Sequence, residues 1–207
     1  MTSYPVQKAA IRAWVVTIAR FGGNPEASLA AAGLSYAAIA GRGTVSWDAF
    51  RSFALHSTSE KTPAEIERMG AEYTAVFPPI QAVAGMLVPV GFLYRLTWQA
   101  EGLWPMFEFS SMDEGASLIL EQRLRDGAPP LLAHFHATPG LLRAMSRRLG
   151  LPEADVEVIH LSVEHALWRV RPPPQRLLYR RDGGSELIRA AVAGLRLGKP
   201  TVSSDVP

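Results

Sequence analysis

The chain has 207 residues, 48% of them apolar, a formal net charge of +2 and no cysteine. This length and apolar fraction predict one globular domain with a sizeable core, and the nearly balanced charge argues against a nucleic-acid- or membrane-binding surface. The absence of cysteine excludes disulfides, zinc–thiolate sites, iron–sulfur clusters and thiol catalysis.

The first half of the chain is predicted to be all helical, over residues 1–101. Helical spacing of apolar residues predicts a helix over 6–20. Asn24, Ser46 and Thr62 are good N-caps for helices over 25–32, over 47–56 and from 63 onward, with a short turn at 35–40 between them. Prolines predict further helices near 80–88 and 90–101. The most apolar window, residues 78–96, is interrupted by Arg95 and Pro89, so we expect a buried helical hairpin and no membrane span.

A first hairpin is predicted after Trp104 by alternation of apolar and polar residues. Phe107 is predicted to face away from Met106, and Leu118 and Leu120 share one face of the returning strand. Gly115 supplies the positive φ that a short hairpin loop needs.

A second hairpin is predicted between residues 155 and 171. Ala166, Trp168 and Val170 alternate with polar residues, and the turn is predicted at 162–165. Pro172 ends the last strand, because proline cannot donate to a ladder.

A helix is predicted between the two hairpins. Thr138 is predicted to cap it and Pro139 to occupy its first position, with an earlier helical piece over 130–137 joining at a kink. Gly150 and Pro152 end the helix. Gly140, Gly150 and Pro152 are predicted to determine the fold and not a binding site.

Together these elements predict an α+β fold. Its helical N-terminal half packs on a four-stranded antiparallel sheet arranged as hairpin, helix, hairpin over 104–174. Residues 1–175 are predicted to form the single domain. Residues 176–207 are predicted to form a C-terminal helix, at 185–197, and a linker stub. The apolar stripe of that short helix predicts a homodimer or docking on the body.

Two stretches carry a family resemblance. ARFGGNPEASLAAAGL and VSWDAF, within residues 18–53, resemble the N-terminal effector domain of AraC-type regulators. FHATPGLLRAMSRRLGLPEADVE, at 135–157, and the following ALWRVRPPP resemble a sensory input domain found ahead of bacterial histidine kinases. The resemblance covers about residues 10–175 and implies a kinase or DNA-binding output module in cis or in trans.

The same resemblance implies a distant kinship with the haem-NO-binding and Golgi-transport ligand-binding fold. The haem branch carries a Tyr-x-Ser-x-Arg clamp for the haem propionates. The nearest sequence here, Tyr94-Arg95-Leu96-Thr97-Trp98, lacks that pattern. We therefore predict no cofactor, and a sensor that binds haem or another cofactor stays an alternative.

The sequence contains no motif of a hydrolase, a metalloprotease or a nucleotide-binding enzyme, so we expect a protein without enzymatic activity. His134 and His136 diverge on a helix, whereas His160 and His165 flank the second turn and could approach each other. Structural or surface roles are expected for all four. No metal site is predicted, and the absence of a signal-peptide pattern favours the cytoplasm.

The candidate ligand pocket is predicted where large apolar residues crowd the helix-to-sheet junction, because aromatic rings with N–H groups are typical of apolar ligand pockets. The proposed ligand is a small apolar or amphipathic molecule. A protein-interaction module with a solid core is the remaining alternative. The predicted ligand-binding residues are Tyr94, Arg95, Leu96, Trp98, Trp104, Phe107, Phe109, Leu118 and Leu120, with Leu87, Phe92, Leu93 and Gln99 nearby.

Overall fold

The computed structural model describes residues 4–75, 89–98 and 104–175. The α+β class predicted from the sequence is confirmed: helices dominate the first half, and a four-stranded antiparallel sheet lies in the second. The elements of the first half are β1 (Pro5–Gln7), α1 (Lys8–Arg20), α2 (Pro25–Ala31), α3 (Tyr36–Ile39), β2 (Thr44–Ser46), α4 (Trp47–Thr58) and α5 (Pro63–Ala75). The elements that follow are α6 (Val90–Trp98), β3 (Phe107–Glu114), β4 (Ser117–Leu124), α7 (Leu132–Met145), a 3-10 turn (Ser146–Leu149), β5 (Asp155–Leu161) and β6 (His165–Arg171).

The large sheet has the strand order β3-β4-β6-β5, so the two hairpins lie side by side with β4 and β6 in the centre. Leu118 pairs with Val170 and Leu120 with Trp168. These four side chains are almost fully buried. The ring of Phe135, on α7, lies 6.4 Å from that of Trp168, so α7 covers this face of the sheet. The predicted order of hairpin, helix and hairpin is the observed one.

Local capping signals account for the helix starts in the first half. Asn24 Oδ1 accepts a hydrogen bond from the backbone N–H of Ala27 at 3.0 Å, and Ser46 Oγ accepts one from Ala49 at 3.2 Å. Thr62 and Glu65 form a reciprocal capping box, with distances of 3.3 and 2.8 Å between side-chain oxygens and backbone nitrogens. The three predicted N-caps are therefore confirmed.

Three local predictions are wrong. The first helix begins at Lys8 and not at Val6, because residues 5–7 pair with residues 44–46 as a two-stranded sheet. The N-terminal half is therefore not purely helical. Met106 lies in the turn before β3, outside the strand, and is fully buried like Phe107.

The predicted helix start at Thr138 and Pro139 is also wrong, because α7 is one helix that contains Pro139. Thr138 does not cap; its hydroxyl donates to the carbonyl of His134 at 2.9 Å. An interior proline costs a helix about 3 kcal/mol. Packing of α7 between the sheet and α5 outweighs that local preference, which only the tertiary structure reveals.

Helices α5 and α7 cross with their backbones in contact. A Cβ atom added to Gly70 would overlap the carbonyl group of Ala137, and one added to Gly140 would overlap that of Glu67. The side chain of Glu67 also forms an ion pair with Arg143 across the crossing. The two glycines therefore determine how closely the helical half approaches α7, in line with the fold-determining role predicted for Gly140.

Gly150 ends the 3-10 turn with a φ of 71°, in the left-handed region that favours glycine. We expect Gly150→Val to lower the free energy of unfolding by about 1–2 kcal/mol, because a β-branched residue is strained at this φ. Gly150→Asn should lower the free energy of unfolding by a smaller amount, because asparagine tolerates the left-handed conformation. Urea unfolding of the three proteins measures this ranking, and equal stability of the valine variant would contradict the capping role.

Within the described residues, no helix combines the length and the apolar character needed to cross a bilayer. The helices predicted at 80–88 and 185–197, the last three residues of the one predicted over 90–101, and the linker stub lie outside the described residues.

Candidate ligand-binding site

The side chains predicted to line a pocket at the helix-to-sheet junction are largely engaged in packing. The Trp98 ring lies edge-on to Phe109 at 5.3 Å and to Trp168 at 5.5 Å. Its Nε1 donates to the carbonyls of Ser110 and Glu121, both at 2.9 Å. The junction brings Trp98 and Phe109 together as predicted, and fills the space between them with ring contacts.

The other predicted pocket residues of α6 have different surroundings and do not line one site. Tyr94 is fully buried, and its hydroxyl donates to the carbonyl of Leu142 at 2.7 Å. Burial raises the pKa of Tyr94 to about 12. In contrast, the Leu96 side chain is 43% exposed, and Arg95 forms an exposed ion pair with Asp113. Leu118 and Leu120 lie in the closed core, and Leu87 and Gln99 lie outside the described residues. Ligand binding at this junction stays a prediction.

A separate cavity of about 60 Å³ lies between the helical half and α7. We call it the inter-helix cavity. On the side of the helical half its walls are Trp14 of α1, Phe50 and Ala54 of α4, and Gly70 and Tyr73 of α5. Gly70, at the close crossing with α7, and Ala54 are the small residues of this wall. The void is therefore a product of glycine and alanine facing rigid aromatic side chains.

The opposite wall comes from α7 and the residues near it. It is formed by Leu131, Ala133, His134, Ala137, Thr138 and Leu141, and Trp104 lies beside them. Trp104 is thus the predicted site residue that lines the inter-helix cavity. The sequence does contain a signal for this space: two alanines lie four positions apart on α7, and Trp14 and Tyr73 line the opposite wall. That signal can be interpreted only once α5 and α7 are known to cross.

The polar groups of the lining are mostly paired within the protein. Trp14 Nε1 donates to Ser57 Oγ at 3.1 Å, and the Thr138 hydroxyl is engaged with a carbonyl of its own helix. Burial also raises the pKa of Tyr73 well above its usual value. A guest in the cavity would therefore meet a predominantly apolar surface.

His134 is the ionisable imidazole of this lining. Its ring stacks on Phe107 with centroids 4.7 Å apart and planes inclined by 18°. Its Nε2 lies 2.8 Å from Nε2 of Gln122, on β4. Burial lowers the pKa of His134 to about 4, so the ring is neutral at pH 7. The sequence predicted a structural or surface role for this residue and missed its position at a cavity.

The other histidines lie elsewhere. Burial lowers the pKa of His136. The rings of His160 and His165 lie 5.0 Å apart, as their spacing allowed, and His165 Nε2 is 2.9 Å from a carboxylate oxygen of Glu121. Across the described ranges, no group of three or more His, Cys, Asp or Glu side chains is arranged to hold a metal ion.

No family model matches the chain, and no curated protein matches it. Solved structures, in contrast, are similar to it in fold. The Fe(II) unliganded H-NOX protein from K. algicida superposes with a TM-score of 0.55 at 11% identity, over 85% of this chain and 100% of that one. An A71G variant of that protein gives a TM-score of 0.56 at 12% identity, over 84% and 100%. This chain has an H-NOX-like fold. The likeness to the haem-NO-binding fold suggested by the sequence is therefore confirmed for the fold alone.

The inter-helix cavity does not fit a haem. Pockets for drug-sized ligands measure about 300–1,000 Å³, whereas this cavity measures about 60 Å³. The α5–α7 crossing at Gly70 and Gly140 leaves no gap into which a porphyrin could extend. Nε2 of His134 is hydrogen-bonded to the side-chain amide of Gln122. The inter-helix cavity of the described residues therefore lacks the space for a haem.

Proposed function

We propose that this chain is a non-enzymatic signal-input domain that binds a small apolar molecule in the inter-helix cavity. The observation that carries the proposal is an apolar cavity between the helical half and α7, in a fold shared with H-NOX proteins. Predominantly apolar cavities can accept apolar guests. A volume of about 60 Å³ suits a molecule of a few heavy atoms.

The position of the cavity suits a switch. A guest would contact α1, α4 and α5 on one side and α7 on the other, so it would bias the distance between them. Helix α7 continues through the 3-10 turn into β5 and β6. Beyond β6, the side chain of Gln175 accepts a hydrogen bond from the backbone N–H of Val90 at 2.8 Å. This bond connects the segment after β6 to the start of α6. We propose that a ligand-induced shift of α7 reaches an output module by this route.

The output module is a kinase or a DNA-binding protein in this proposal, acting in cis or in trans, and the protein works in the cytoplasm as a homodimer. The support is the resemblance of residues 135–157 to sensory input domains. The H-NOX-like fold is consistent with a sensor of either a free ligand or a cofactor.

Filling the cavity is expected to abolish binding. Ala133→Leu places a larger side chain at the cavity wall, whereas Ala64→Leu makes the same change at an exposed site of α5. With 2-methyl-1-butene as the probe, we expect Ala133→Leu to weaken binding at least about tenfold and Ala64→Leu to leave it unchanged, because only the former competes for the space. Ligand-detected NMR titration gives both constants. Equal affinities in two folded variants would place the ligand elsewhere.

Haem sensing is the second candidate, and the fold likeness to an Fe(II) H-NOX protein favours it. An absorption spectrum of the purified protein mixed with haemin separates the two candidates. The small-ligand proposal expects no stoichiometric Soret band from a bound haem. A one-to-one haem complex would favour the second candidate.

A further inference from the structure

We infer that the molecule bound in the inter-helix cavity carries one hydrogen-bond acceptor, such as a carbonyl or ether oxygen, which accepts the Nδ1–H of His134. This inference rests on the proposed function and adds the chemical class of its ligand. It follows from the way the two ring nitrogens of His134 are used.

The Gln122 amide fixes the tautomer of His134. Gln122 is 1% exposed, and its Nε2 lies 2.8 Å from His134 Nε2, so the amide donates and the ring nitrogen accepts. A neutral imidazole has one N–H and one bare nitrogen. With Nε2 bare, the proton is on Nδ1.

Two unpaired groups accompany this orientation of the amide. In the part of the chain that the structure describes, Gln122 Oε1 and Trp168 Nε1 are both buried without a partner. They belong to neighbouring strands, two positions apart in register. Both groups lie on the sheet face that α7 covers, where an unpaired acceptor and an unpaired donor can be satisfied by buried water.

The other ring nitrogen is left for the ligand. Nδ1 of His134 makes no hydrogen bond to any described residue, although the ring lines the cavity and is packed between Phe107 and Trp104. A partly buried N–H without a partner costs free energy that a guest acceptor recovers. The ring contacts on Phe107 and Trp104 hold the donor in place, so the geometry selects a guest that is apolar except at one atom.

A matched pair of probes tests the inference. In 2-butanone a carbonyl oxygen stands where its isostere 2-methyl-1-butene has a methylene group. The ratio of the two dissociation constants is measured for the wild-type protein and for His134→Phe, which retains a ring but removes both nitrogens. We expect the preference for the ketone, relative to the alkene, to fall by about 2- to 12-fold in the variant, the factor of one net neutral hydrogen bond.

The outcomes separate the inference from the proposed function. If both probes bind and the ratio changes by less than the experimental error, the inference is overturned while the proposed function stands. If neither probe binds the wild-type protein, both are overturned. The ¹⁵N chemical shifts of the His134 ring add an independent readout: a protonated Nδ1 is expected, and a protonated Nε2 would overturn the assignment of the donor.

Discussion

Gly140→Ala is expected to lower the free energy of unfolding by about 3 kcal/mol, a large effect for a single methyl group. An added Cβ would overlap the backbone carbonyl of Glu67 on α5, and backbone cannot rotate away as a flexible side chain can. The two helices must separate, which loosens the packing along the whole crossing. The gain in helix propensity, about 1 kcal/mol, offsets only part of this loss.

Gly91→Ala is the matched control. Gly91 lies in helix α6, and an added Cβ there would meet no atom of the described residues within 4 Å. We expect this variant to be as stable as the wild type or more stable by up to about 1 kcal/mol. Urea unfolding of both variants measures the contrast. Gly140→Ala with wild-type stability would show that α5 and α7 are not in backbone contact.

Stability is expected to fall by about 2 kcal/mol between pH 6.5 and pH 4 because of His134 alone. Burial lowers the pKa of this ring to about 4 in the folded protein, from an ordinary value of 6.5. Between these values the unfolded chain binds a proton that the folded chain does not, so acid favours unfolding. The full shift corresponds to about 3 kcal/mol, which we reduce because the ring is only partly buried.

His134→Phe isolates this contribution. The variant lacks the titrating group, so its stability should change less between pH 6.5 and pH 4 than that of the wild type, even though Gln122 loses its partner. Arg169 and Ser110 lower the pKa values of Glu114 and Glu121, respectively, through hydrogen bonds. Those carboxylates add acid sensitivity to both proteins equally. Parallel stability curves for the two proteins would show that His134 titrates normally in the folded state.

Elements with local signals could be predicted from the sequence. Ser46 caps α4 whatever surrounds it, and the alternation of Ala166, Trp168 and Val170 needs only one buried sheet face. Elements that depend on distant residues could not be predicted. Strands of three residues, such as Pro5–Gln7, carry no periodicity. The helical conformation at Pro139 is imposed by packing against its neighbours, which local propensity does not contain.

The candidate site illustrates the same limit. An excess of large apolar residues correctly located a crowded junction at Trp98 and Phe109, but crowding there produces close packing. The cavity arises beside the α5–α7 crossing, where the small residues Gly70 and Ala137 lie in contact among large aromatic rings. Residues 67 positions apart in the chain determine that space, so no local pattern indicates it.

The most direct test of the proposed site is a map of methyl chemical shifts in protein labelled at alanine and leucine methyl groups, titrated with 2-methyl-1-butene. Binding in the inter-helix cavity predicts saturable shifts that are largest at Ala54, Ala133 and Ala137. Saturable shifts centred on Leu118 and Leu120 would instead place the ligand at the helix-to-sheet junction, and the absence of saturable shifts would contradict ligand binding in this cavity.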